Sequence, residues 1–145
     1  MYTKPSVLEL TVPGNIKLVS ALGEMAELFV KSIIKNGCET QDIAFKINLV
    51  LTEAASNAIF YGCKSIDEQI KIKLELDNGI INIEVIDKGG GLELSDIHKP
   101  DPFDERGRGL YIIKQFMDSV DYYQNADGEC VFTMKKYIAT NSQII

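Results

Sequence analysis

The chain reads as an α+β domain: a two-layer α/β sandwich in which a mostly antiparallel mixed sheet carries its helices on one face. Three observations predict it. Long segments near the N-terminus repeat apolar residues at helical spacing, later short segments alternate apolar with polar residues, and the alternating segments come in pairs joined by tight turns. With 145 residues, one domain over 1–145 with a single core over about 7–137 is expected.

Residues 7–12 read as a short strand closed by Pro13-Gly14. Asn15 can cap a helix running to about 35, with Leu18, Leu22, Met25, Phe29 and Ile33 on its apolar face and Asn36-Gly37 as its stop. A second helix is expected from about 40 to 61, stopped by Gly62, with Ile43, Ile47, Val50, Leu51, Ala54 and Ala58 buried. The period then changes. Ile70, Ile72, Leu74 and Leu76 alternate with Lys71, Lys73 and Glu75, Asp77-Asn78-Gly79 signals a hairpin, and Ile81, Ile83 and Val85 continue to Asp87. Residues 88–106 are rich in Gly, Asp and Pro and lack a period, which suggests a functional lid. A helix over about 109–117 and a hairpin over 120–136 complete the core, and 139–145 read as a tail.

Composition narrows the function. Hydrophobic residues make up 46% and charged residues 25% of the chain, as in soluble globular proteins. No run of 18 apolar residues or secretory leader is visible, so a cytoplasmic protein without a membrane span is expected. Cys38, Cys63 and Cys130 are far apart and odd in number, which indicates neither a disulfide framework nor a zinc site. The net charge of −6 and short basic clusters argue against nucleic acid.

Three short pieces carry the chemistry. Glu53 and Asn57 lie four apart on one helix, at the rim of its apolar stripe, where a carboxylate and an amide need partners. Asn57 can give an oxygen to Mg²⁺, which keeps waters and takes further ligands from phosphates, while Glu53 orients or deprotonates a nucleophile. An ordinary surface pair has the same spacing. Asp87 ends an apolar strand; its oxygens can accept the exocyclic amine of adenine, and Gly89, Gly90 and Gly91 would let the backbone approach a flat base. A plain tight turn fits there too. Gly107 and Gly109 precede Leu110, Ile112, Ile113 and Phe116; free N–H groups at a helix start bind phosphate, and Arg106 and Arg108 can add contacts. A loop with two solvated arginines is the alternative. The chain has no Gly-Lys dipeptide, so no P-loop, and Gly107-Arg108-Gly109 lacks the third glycine of a dinucleotide fingerprint. The single histidine, His98, falls in the expected lid.

In this order the pieces resemble the ATP-binding superfamily shared by gyrase B subunits, histidine kinases and MutL proteins, the Bergerat fold. The segment from Arg106 to Val120 and the short overall length resemble the anti-sigma-factor serine/threonine kinases. That resemblance implies ATP and Mg²⁺ as cofactors, a Glu53 base, Asn57 as metal ligand, Asp87 as adenine contact, Gly89 and Gly91 beside the base, and Gly107, Gly109 and Leu110 at the phosphates. It implies phosphorylation of a STAS-type anti-anti-sigma protein, control of a sigma factor by partner switching, and a homodimer. Tyr61 stands where many relatives have histidine, and Glu129-Cys130 where a threonine often helps bind adenine. A non-catalytic ATP- or ADP-sensing module that sequesters a protein is the competing expectation. A histidine-kinase catalytic domain would need a phosphoacceptor helix, and a gyrase-type or MutL-type ATPase a second domain.

Overall fold

A computed structural model describes residues 4–34, 38–89 and 105–138. The chain runs β1 (Ser6–Pro13), α1 (Val19–Ile33), α2 (Cys38–Asn57), β2 (Gln69–Asp77), β3 (Ile80–Asp87), α3 (Glu105–Phe116), β4 (Ser119–Gln124) and β5 (Cys130–Tyr137). The five strands form one sheet in the order β1-β2-β3-β5-β4. All four pairings are antiparallel, so the sheet is not mixed between neighbours. β3 and β4 nevertheless point the same way, because β5 is inserted between them and α3 makes the crossover.

The alternation read from the sequence holds. Ile70, Ile72, Leu74 and Leu76 of β2 and Ile81, Ile83 and Val85 of β3 are all buried. The hairpin between them turns on Asn78 (φ 50°) and Gly79 (φ 77°), and the two positive values are what a two-residue turn of this hand requires. In the second hairpin the Asn125 side-chain oxygen accepts from the Asp127 and Glu129 N–H groups, at 3.0 and 2.9 Å.

Asn15 does cap, but it caps a 3-10 turn (Ile16–Leu18) that leads into α1, accepting from the Lys17 N–H at 3.0 Å. The apolar face of α1 is rotated from the expected one. Val19, Leu22, Gly23, Ala26 and Val30 are buried, whereas Met25 is 47% exposed. The cause is close packing on α2: a Cβ on Gly23 would strike the Asn48 side-chain oxygen and lie 2.5 Å from Thr52 Oγ1. Small residues face the neighbour there and the bulky Met25 turns outward. Asn48 also donates to Glu27 at 2.9 Å; this bond, and then Lys31, hold the Glu27 carboxyl below its usual range.

α2 spans the middle of the helical layer, with Ala44, Ile47, Val50, Leu51, Ala54 and Ala55 buried. With the π turn Ala58–Gly62 that follows it, this is the one described helix long and apolar enough to cross a membrane. Its apolar side lies instead in the same core as β2 and β3. α3 begins at Glu105, four residues before the expected start, so Gly109 sits inside the helix rather than ahead of it. The expected tail over 139–145 and the stop at Asn36-Gly37 lie outside the described residues.

Candidate functional site

Period-two alternation decides the most consequential placement. Ile81, Ile83 and Val85 face the core, so Asp87, two residues further, faces it as well and is only 5% exposed. A carboxylate on an apolar face loses hydration; burial pushes its pKa up to about 6, with a small further push from Glu68 and an opposing pull from the Gly89 N–H. That N–H donates to Asp87 Oδ1 at 2.9 Å. Among the described residues nothing donates to Oδ2, which leaves an acceptor for a ligand.

Asp87 lines a narrow cavity together with Ala54, Asn57 and Ala58 from the helical layer, Leu110 of α3, and Tyr122 and Phe132 from the last hairpin. The first, second and third sequence pieces therefore meet at one place. The cavity holds about 30 Å³, room for one or two waters. Sequence reasoning missed Tyr122 and Phe132. They face each other across β4 and β5, with ring centres 6.4 Å apart, and the alternation of those strands carries the signal for them.

Asn57 projects into this space from the end of α2, and its side-chain nitrogen is buried with no partner among the described residues. An orphaned buried amide is costly unless a ligand completes it. Glu53, one turn earlier, stands beside the cavity rather than in its lining. A Cβ on Gly109 would lie 2.5 Å from Glu53 Oε2 and 3.6 Å from Asn57 Nδ2, so α3 presses a bare glycine onto this carboxylate and amide. Burial raises the Glu53 pKa. Among the described residues none donates to its carboxylate, which stays available to take up a proton.

The amide oxygen of Asn57 is a hard ligand these residues could offer a Mg²⁺ ion, beside the carboxylate oxygens of Glu53 and Asp87. No group of three or more His, Cys, Asp or Glu able to hold a metal is present among the described residues. The donor set therefore fits an ion that arrives with phosphates and waters. Gly89 lies against the carbonyl of Gly62 and accepts from the Cys130 thiol at 2.9 Å. Cys130 thus supports the turn after β3. Leu110 is buried in the cavity wall. Gly91 and His98 lie outside the described residues, as does most of the expected lid. Arg106, Gly107 and Arg108 fall in the first turn of α3, and their side chains lie outside the described residues too.

Comparison with known proteins gives the family of the chain. Residues 18–136 match the histidine kinase-like ATPase domain. The chain belongs to that family. Within it, the chain is similar to the serine-protein kinase RsbW of Staphylococcus aureus strains JH9 and Newman. Each is 26% identical over 150 residues, covering 95% of this chain and 91% of the relative. Among solved structures, the SiaB-SiaC complex of Pseudomonas aeruginosa superposes with a TM-score of 0.54 at 15% identity, over 90% of this chain and 89% of that one. The histidine kinase domain of the Erythrobacter litoralis EL346 blue-light activated histidine kinase gives 0.52 at 14% identity. That match spans 68% of this chain but 46% of the kinase domain, so this ATPase domain spans about half the neighbour's length. These structural likenesses show the α+β fold.

Proposed function

We propose that this histidine kinase-like ATPase domain is a protein serine/threonine kinase of the anti-sigma-factor type. It binds Mg·ATP, phosphorylates a serine on a STAS-type anti-anti-sigma protein, and controls a sigma factor by exchanging partners. The observation that carries the reading is that Asn57 and Asp87 line one cavity while Gly109 packs against Glu53 and Asn57 at its side. Similarity along 95% of the chain to proteins named serine-protein kinase supports the reaction type.

Asp87 accepts the adenine amine at Oδ2, with Gly89 and Gly91 beside the base. Leu110 and the glycines of α3, with Arg106 and Arg108, lie on the phosphate side. The metal ion, held by the Asn57 oxygen and the phosphates, supplies charge neutralisation when bound. Glu53 accepts the proton of the attacking hydroxyl. The new bond joins that oxygen to the γ-phosphorus, the bond to the β-phosphate oxygen breaks, and ADP leaves. The raised pKa of Glu53 makes it a better proton acceptor than a solvated carboxylate. The protein acts as a homodimer in the cytoplasm.

Incubation with labelled ATP and a STAS-domain protein tests this directly. Label on a serine of the partner is expected, together with loss of nucleotide binding in Asn57→Ala. Nucleotide-dependent capture of the partner without label would select the sequestering module instead, and unchanged Mg·ATP affinity in Asn57→Ala would remove the metal role.

A further inference from the structure

The π turn Ala58–Gly62 interrupts the helical pattern immediately after Asn57. A π turn inserts one residue into a helix, which shifts everything after it by about 100° around the axis. What it delivers is the backbone of Gly62, set directly against Asp87. A Cβ on Gly62 would collide with all three heavy atoms of the Asp87 carboxyl group. A Cβ on Gly89 would in turn collide with the Gly62 carbonyl oxygen. The carboxyl is therefore held between two glycine backbones, with Oδ1 fixed by the Gly89 N–H.

We propose that Gly62, delivered by the π turn, is a positioning residue that sets the direction of the Asp87 carboxyl group and with it the choice of nucleobase. The inference rests on Asp87 as the contact to the base amine. Oδ1 is occupied and Gly62 forbids the carboxyl from turning away. Oδ2 is then offered along one direction, which suits an N–H donor on the base and repels a carbonyl oxygen in the same place. The bare α-carbon of Gly62 leaves the space that the Asp87 carboxyl group occupies.

Binding of ATP and of ITP, which carries a carbonyl where adenine carries its amine, tests the device in Gly62→Ala, Asp87→Ala and the double variant. The unaltered protein should prefer ATP by roughly tenfold or more, as expected where a buried acceptor meets a wrong partner. Gly62→Ala should bring the ratio close to one while ITP affinity stays within about threefold, and the double variant should bind ATP no worse than Asp87→Ala alone. Equal losses for ATP and ITP in Gly62→Ala, or a full additional loss on top of Asp87→Ala, would overturn the proposal. If Gly62→Ala does not fold by circular dichroism, the collision with the carboxyl group requires the double variant to regain the fold, and a double variant that stays unfolded would overturn it as well. An unchanged ATP-to-ITP ratio in Asp87→Ala removes the base contact itself, and this inference falls with it.

Discussion

Glu53 and Asp87 are both raised by burial, yet the chain holds them in opposite ways. Glu53 stands at the rim on a long side chain, touched by Gly109 and engaged by no donor among the described residues. Asp87 sits at the end of a strand, bonded by the Gly89 N–H and closed in by Gly62. A group that exchanges a proton during each turnover has to move and meet its substrate. A group that reads a base gains from having only one orientation. Under the proposed function the same physical cause, desolvation, would serve reactivity at Glu53 and recognition at Asp87.

The largest expected effect breaks the pair cleanly. Glu53→Ala should lower phosphoryl transfer by roughly 10²–10⁴-fold and leave ATP affinity within a few-fold, measured by single-turnover label transfer beside nucleotide titration. Loss of binding in this variant would merge the two roles. Gly109→Ala forces only the tip of a flexible carboxylate aside, so kcat should fall by about tenfold with a smaller change in KM. An equal rise in KM would place Gly109 on the binding side instead.

Asp87→Asn should cost ATP affinity on the order of tenfold or more while stabilising the fold. The sign follows from the raised pKa. The folded state holds the Asp87 proton more tightly than the unfolded chain, so the stabilising contribution is full below pH 3.8 and is lost as pH rises through about 6. At pH 7 the buried charge is a liability of up to about 3 kcal/mol, and its removal should raise the melting temperature by several degrees, visible by calorimetry. A lower melting temperature would contradict the burial argument. In the unaltered protein, protonation of Asp87 removes the acceptor, so ATP affinity should weaken by about tenfold between pH 7 and pH 5. A flat titration would show that Oδ2 is not the contact. Cys130→Ala removes only a weak thiol bond to the Gly89 carbonyl and should change ATP affinity by less than about threefold.

Much of this was readable beforehand, for identifiable reasons. Strand alternation reports directly which face a side chain takes, and it carried Asp87 to the core side as surely as Val85. The four-residue spacing likewise brought Glu53 and Asn57 together at the rim of the α2 stripe. Helix faces were less legible where packing is close. Gly23 and Ala26 rather than Met25 face the core in α1, because the neighbouring α2 leaves no room for bulk, and hydrophobicity alone does not register that. The π turn left no trace at all. Its residues look like ordinary helix followed by a glycine stop, and only the position of Asp87 reveals why the glycine is there.

β5 leaves the ribosome last of the described strands but lies inside the sheet, between β3 and β4. During synthesis the first three strands can pair as they emerge, while β4 has no neighbour to join. Phe132 and the Cys130 support of the Gly89 turn both arrive with this final strand. The last of the described strands to be made therefore completes the cavity wall, and a nascent chain that ends before residue 130 has Ala54, Asn57 and Asp87 without Phe132 beside them.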